Sequence, residues 1–226
     1  MTLPIPGSVP VVFEHSDFIV VDKPVGVPMH DAQQGITSVL TQQDPNHQWH
    51  LVHRLDTATS GLLIVAKHKN SASALSELFA QRRIEKYYIA LSDNKPKKKQ
   101  GLVKGDMQKA RGGSYKLSTS LKNPAITQFY SCSHSPGIRA FLLKPHTGKT
   151  HQIRVALKSQ GAAILGDERY GGSDADRMYL CSYALRFMYE QQPIEVIHLS
   201  KHGALLHDFE LPAQWQQPWI MPWPPL

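Results

Sequence analysis

Short apolar runs of strand length recur along the chain, separated by polar breaks that carry proline or glycine. VVFEHSDFIVVDKPVGVPMH shows two β-rich runs, Val11–Glu14 and Phe18–Asp22, on either side of the turn residues Ser16 and Asp17. Pro24 and Pro28 then stop any central strand. WHLVHRL alternates weakly and predicts a strand. GLLIVAK is continuously apolar, as in a strand buried on both faces. NSASALSELFAQRRIEK changes period: Asn70 or Ser71 can cap a helix whose one face holds Leu75, Leu78, Phe79 and Arg82. KYYIALS is a strand.

Farther along, NKPKKKQGLVKGDMQKARGGSYK is polar, basic and glycine-bearing, and reads as a long loop or a flexible hairpin. FLLKP is a strand that ends at Pro145. THQIRVALKSQG predicts a short helix with Ile153, Ala156 and Leu157 on one face and Gly161 at its C-terminal stop. LGDERYGG is a loop, MYLCSYALRF and PIEVIHL read as strands, the first with a helix as its alternative, and the tail WQQPWIMPWPPL is irregular. Strands outnumber helices and pair as hairpins, with no internal repeat. The expected fold class is α+β, a mixed, mainly antiparallel sheet with flanking helices and loops around a central catalytic cleft.

A chain of 226 residues, 41% apolar and 19% charged, is long enough for one sizeable domain with its own core. Its two cysteines, Cys132 and Cys181, make no disulfide framework and suit a reducing cytoplasm. MTLPIPGSVPVVFEHSD has neither the basic start nor the apolar stretch of a signal peptide, and no apolar run is of membrane-spanning length. The formal charge of +7 favours a polyanionic partner, of which nucleic acid is the commonest.

The chemistry concentrates in HRLDTATSGLLIVAK, where one carboxylate, Asp56, stands at a corner before a buried strand. Other chemistries lack their parts. Gly148-Lys149-Thr150 resembles the end of a phosphate-binding loop, but Leu143 occupies the place of the earlier glycine. No G-x-S-x-G elbow is present, and Asp56 has no second carboxylate near it in sequence for glycoside hydrolysis. His50, His53 and Asp56 would share a helix face, but their surroundings are strand and turn, so no metal site is assigned. On residue chemistry alone two readings of Asp56 stand side by side. It organises the T-A-T-S-G turn through its side-chain oxygen, or it is a single nucleophile or acid–base group kept ionised by a nearby arginine.

This stretch resembles the signature of the RluA-type pseudouridine synthases, H-R-L-D-x-x-T-S-G-L-L. FIVVDKPVGVPMH resembles the family's strand and N/D-K-P-x-G turn, EKYYIAL its K-x-Y block, LLKPHTGKTHQIRVAL its T-G-R/K-x-H-Q-I/L-R block, and GDERYGG its G-D-x-x-Y-G turn. The five blocks stand in the family's order from Phe13 to Phe187. The resemblance implies a single catalytic domain over residues 1–226 and an enzyme that isomerises a uridine of structured RNA, tRNA or rRNA, without a cofactor. It implies that Asp56 is the nucleophile, that Arg154 pairs with it, that Tyr88 rather than Tyr87 stacks on the base, and that Ile153 forms an apolar wall. Leu55 packs nearby or in the core. A stacked uridine must be flipped out, and Arg54 would fill its place or hold a phosphate. His53 has two equal readings, a loop hydrogen bond or a site role.

Many relatives carry an S4-type RNA-binding module before the first block; about a dozen residues precede it here, so a compact, monomeric member without that module is expected. Cys181 stands where relatives often have histidine. The basic segment Lys95–Lys109, extended by Arg82 and Arg83, is either a solvated loop or a track for RNA phosphates. The rival readings are an RNA-binding protein derived from a synthase and lacking catalysis, a nucleoside glycosylase, and an unrelated α+β domain with an incidental basic loop.

Overall fold

The computed structural model describes residues 8–226. The signal-peptide reading rests largely on residues 1–7, which lie outside the described residues. The chain gathers into two compact units, one made of Met1–Glu85 and Cys181–His202, the other of Lys86–Leu180 and Gly203–Leu226. The secondary structure is mixed α+β with a mainly antiparallel sheet, as expected from the interleaving of hairpins and short helices.

In the first unit, β1 (Val11–Glu14), β2 (Phe18–Lys23) and β4 (Ser60–Ala66) are antiparallel neighbours, with Phe18 opposite Ala66 and Lys23 opposite Gly61. β2 and β4 are buried at every position, which is why Phe18–Val21 and Gly61–Ala66 read as unbroken apolar runs rather than alternating ones. β10 (Leu180–Tyr189) runs parallel to β4 at Cys181–Ser60 and Ser182–Gly61, and forms a hairpin with β11 (Gln192–Ile197). Helix α2 (Lys69–Ala80) lays Leu75 into a core of Phe18, Val20, Leu62, Ile64 and Leu185, with Leu78 and Phe79 packed against it.

The expected α2 cap is displaced by two residues or more: His68, not Asn70 or Ser71, accepts the Ser71 N–H through its ring. Arg82 is not on the helix face. It follows the helix end with φ 57° and is exposed, while Ile84 turns back into the core. WHLVHRL is also shorter as a strand than expected. Only β3 (His50–Leu51) pairs with β4, because the chain then leaves the sheet as a loop. Helix α1 (Ile36–Gln43), which buries Ile36, Val39 and Leu40, had no expectation in the pattern.

The second unit is an antiparallel sheet in which β5 (Glu85–Ser92), β9 (Ile138–Pro145), β8 (Pro124–Ser135), β6 (Gln100–Lys109) and β7 (Tyr115–Leu117) pair in that spatial order. The lysine-rich segment is therefore a hairpin as one expectation had it, but its first arm is a ten-residue strand. Its polarity hid it: one wall is solvated, and only Val103 and Gly105 are buried. Helix α3 (Gln152–Ser159) is buried from Gln152 to Leu157, not on one stripe, and ends at Gly161 with φ 77°. The tail packs as two 3-10 turns, Ala213–Trp215 and Pro218–Ile220; Trp215 is buried, and Trp219 and Trp223 flank the Tyr87 ring. Helix α4 (Ala204–His207) precedes them. Among the described residues no helix is long and apolar enough to cross a membrane.

Gly61 is the tightest point of the first unit. Its φ is 98°, and a Cβ there would lie 2.1 Å from the Ser182 carbonyl oxygen on β10. Gly61→Ala is expected to cost at least ~3 kcal/mol, from positive-φ strain and an unavoidable backbone shift. Urea unfolding of the variant, read as a fall in midpoint at constant slope, checks this.

Candidate active site

Asp56 lies in the loop between β3 and β4, and each residue of that loop has a different job. Arg54 is exposed, Leu55 is buried, and Asp56 is half-buried. A tight turn follows, closed by the Thr59 N–H on the Asp56 carbonyl at 2.9 Å, and Thr59 and Ser60 are buried at its end. His53 anchors the other side. Its Nε2 accepts the Ile64 N–H of β4 at 2.9 Å, and its ring stacks on Phe79 of α2 at 4.3 Å between centroids. The hydrogen bond observed is to strand β4 rather than to the loop. To accept there, the ring must carry its proton on Nδ1.

A buried ammonium holds the loop from below. Lys23, at the end of β2, is fully buried and donates to the carbonyls of Pro24 and Val27, each at 2.9 Å, and of Thr57 at 3.2 Å. The Gly26 N–H reaches the same Thr57 oxygen at 2.9 Å. Residue 57 follows Asp56 directly. The D-K-P-V-G turn is thus a clamp on the backbone of the aspartate loop, and the positive φ of Gly26 (87°) brings its N–H to the contact. Sequence reasoning quoted this block but gave Lys23 no role. Its signal was a charged pair, Asp22-Lys23, that closes an apolar run in a strand buried at every position.

Tyr88, Ile153 and Arg154 belong to the second unit. Tyr87 and Tyr88 are consecutive on β5 and so point to opposite faces. Tyr87 is spent on the tail tryptophans, with the Lys144 ammonium 5.2 Å from its ring centre. Tyr88, opposite Leu143 of β9, projects from the other face and keeps a little of its surface exposed.

Ile153 and Arg154 open α3, whose start is built by side chains. The Gln152 amide oxygen accepts from Thr147 Oγ1 at 2.6 Å and from the Lys149 N–H at 3.0 Å. Its NH2 donates to the Ile126 carbonyl and to Thr127 Oγ1, both at 3.0 Å. Thr147 Oγ1 in turn accepts the Ile126 N–H at 3.0 Å. The T-G-K-T-H-Q block therefore fastens the helix to β8.

Arg154 has a partner that sequence reasoning did not name. Its Nε and Nη2 grip the Asp167 carboxylate side-on at 2.8 and 2.7 Å, with both residues buried, and its guanidinium lies 4.9 Å from the Tyr170 ring centre. A bidentate pair of this kind fixes the rotamer of the arginine as well as its charge. The Tyr170 hydroxyl accepts the Tyr115 N–H at 3.0 Å, leaving its proton for His151 Nδ1 at 2.9 Å, and burial holds its pKa above the usual tyrosine range. Asp167 and Tyr170 are the D and Y of G-D-E-R-Y-G-G. Gly166 permits the turn: its φ is 78°, and a Cβ would sit 1.9 Å from the Arg177 carbonyl oxygen. The three-residue spacing of D and Y was legible; that they serve Arg154 was not.

A profile described as RNA pseudouridylate synthase matches residues 17–159. An uncharacterised RNA pseudouridine synthase of Haemophilus influenzae is 50% identical over 87% of this chain and 89% of its own length. Ribosomal large subunit pseudouridine synthase C of Rickettsia bellii is 36% identical over 71% of this chain, which spans only 56% of that relative. Among solved structures, human RNA pseudouridylate synthase domain containing 1 superposes with a TM-score of 0.75 at 26% identity, covering 86% of this chain and 84% of the other. The chain belongs to the RNA pseudouridylate synthase family, of the RluA type, and is an isomerase of that class.

Replacing Lys23 by methionine keeps most of its volume but removes the donors from the Pro24 and Val27 carbonyls. The variant is expected to lose ~2–4 kcal/mol of stability, the usual cost of orphaning buried acceptors of a charged donor. Chemical denaturation measures the loss. Hydrogen exchange should show the amides of Gly26 and Thr59 opening more readily than those of β8 and β9.

Proposed function

We propose that this protein converts a specific uridine of a structured tRNA or rRNA into pseudouridine, with Asp56 as the nucleophile. The observation that supports the reading best is the clamp: a fully buried lysine spends its hydrogen bonds on holding the backbone beside one half-buried carboxylate. A turn-organising aspartate would need no such foundation. The turn here is closed by the Thr59 N–H on the Asp56 main-chain carbonyl.

In the proposed reaction the bond between uracil N1 and ribose C1′ breaks, the base turns, and C5 bonds to C1′. C5 gives up its proton to solvent, and N1 takes one. No oxidant, water or cofactor is consumed. Asp56 attacks either C1′ or the ring and is released when the carbon–carbon bond is complete. Tyr88 stacks on the base and Ile153 borders it. Arg154, its orientation set by Asp167, is the cation proposed to serve the nucleophile. Arg54, exposed beside the nucleophile, takes the place of the flipped uridine or a flanking phosphate. The Rickettsia relatives are named for the large ribosomal subunit, which supports ribosomal RNA as the substrate class. We place the enzyme in the cytoplasm as a monomer.

The test is tritium release. Bulk tRNA and ribosomal RNA labelled at uracil C5, from cells without the enzyme, are incubated with wild type and with Asp56→Asn. Release by the wild type alone, with the variant at least ~1000-fold slower as for loss of a covalent catalyst, is expected. Equal release by both would remove Asp56 from the chemistry. RNA binding without release would leave a non-catalytic RNA-binding protein, the second reading.

A further inference from the structure

The turn that grips Arg154 also grips the far end of the β6–β7 hairpin. β7 ends the strand order of the second unit among the described residues, so its outer backbone groups need partners other than a strand. That of Tyr115 finds a side chain: its N–H donates to the Tyr170 hydroxyl at 3.0 Å. One residue earlier, Arg169 Nη1 donates to the Gly112 carbonyl at the hairpin tip, at 2.6 Å. This end of the hairpin is cationic, with Lys109, Arg111 and Lys116 all exposed.

Tyr170 is itself firmly held. The residue is buried, and its hydroxyl is engaged on two sides, receiving the Tyr115 N–H and facing His151 Nδ1 at 2.9 Å. The His151 ring stands edge-on to both tyrosines, its centroid 5.8 Å from that of Tyr115 and 5.6 Å from that of Tyr170. The 3-10 turn Glu168–Tyr170 is closed by the Tyr170 and Gly172 N–H groups, which reach the Asp167 carbonyl at 3.1 and 2.9 Å. The face of the Tyr170 ring then lies under the Arg154 guanidinium, 4.9 Å from its centre, where a cation is attracted to it. The two hydrogen bonds from Asp167 fix the guanidinium within its own plane. They resist swinging about the bonded edge far less, and a ring laid on the face blocks that swing.

We propose that Tyr170 is a positioning residue with two separable parts: its ring keeps Arg154 from tilting away from the plane set by Asp167, and its hydroxyl latches the cationic hairpin, where RNA phosphates are held. A phenylalanine would do the first and not the second, which is the reason for a tyrosine here. The kinetic side of the proposal rests on the RNA-modifying reading above; the structural side does not.

The test compares Tyr170→Phe, which keeps the ring and removes the hydroxyl, with Tyr170→Leu, which removes both; circular dichroism verifies that each is folded. In tritium release Tyr170→Phe is expected to raise KM about fivefold, the scale of one hydrogen bond, and to retain kcat within about twofold. Tyr170→Leu should in addition lower kcat by about ten- to a hundredfold, as for a misplaced group. A residue that only stabilises the fold would lower the melting temperature and leave both constants of the folded protein alone. A Leu variant with wild-type kcat overturns the role of the ring, and a Phe variant with wild-type KM overturns that of the hydroxyl. If the wild type releases no tritium from any RNA fraction, the catalytic reading falls and hydrogen exchange decides the proposal by itself. There Tyr170→Phe should speed exchange of the Tyr115 amide about tenfold and leave the Arg154 Nε–H protected, whereas Tyr170→Leu should expose both. Equal protection in wild type and both variants overturns it.

Discussion

A buried ammonium is the constraint on which the candidate nucleophile depends. A lysine taken out of water needs acceptors around it, and those of Lys23 include the backbone carbonyls of Pro24, Val27 and Thr57. Two of these lie in the turn after β2 and the third in the loop after β3. Satisfying the cation therefore forces the two segments together, although they are far apart in sequence. The loop cannot relax away without stranding a charge, which is how a short side chain on a loop acquires the rigidity of one on a sheet. His53 and Gly61 complete the restraint: one ties the loop entrance to β4 and α2, and the other lets β4 pass close to β10 just after the loop ends.

The second unit reaches the same end by another route. Its functional candidates begin a helix that has no side-chain N-cap, and His151 at the cap position lies in the left-handed region. Gln152 supplies what the cap does not, receiving the Lys149 N–H and gripping β8. Arg154 is then locked by Asp167 and covered by Tyr170. A buried arginine–carboxylate pair adds little net stability when desolvation is counted. Its value lies in orientation: one edge of the guanidinium is fixed, which sets where the rest of its charge points.

How far the sequence could be read follows from which interactions leave a mark on it. Strands buried on both faces, such as β4 and the Phe18–Val21 part of β2, declare themselves by continuous apolar runs, and the helix over Lys69–Ala80 by its period. β6 left no such mark. Its ten residues pair with β8 and β7 through the backbone, which any sequence can supply, while its side chains remain polar. α1 was hidden by its length. The candidate residues Asp56, Tyr88 and Arg154 were legible through their blocks, and the alternation of β5 separates Tyr87 from Tyr88 without appeal to resemblance. Lys23, Gln152 and Asp167 were not, because each acts through contacts with residues distant along the chain. Nothing in the text of a lysine says that it is buried.

The same distinction resolves the basic composition. The excess of lysine and arginine suggested a polyanion as a single feature, yet individual cations divide by what surrounds them. Lys23 and Arg154 are consumed inside the fold. Lys97, in the middle of the lysine run, places its ammonium 3.0 Å from the Ser159 carbonyl at the end of α3, where a cation offsets the negative end of the helix dipole. Lys122 is exposed but lies near the Asp106 carboxylate, whereas Lys149 is steadied by the neutral amide of Asn123. A steadied but uncancelled charge is the arrangement that an incoming phosphate can use, because the cost of immobilising the side chain has been met before the ligand arrives. Net charge thus says that a polyanion is welcome; the partner of each ammonium says where it can dock.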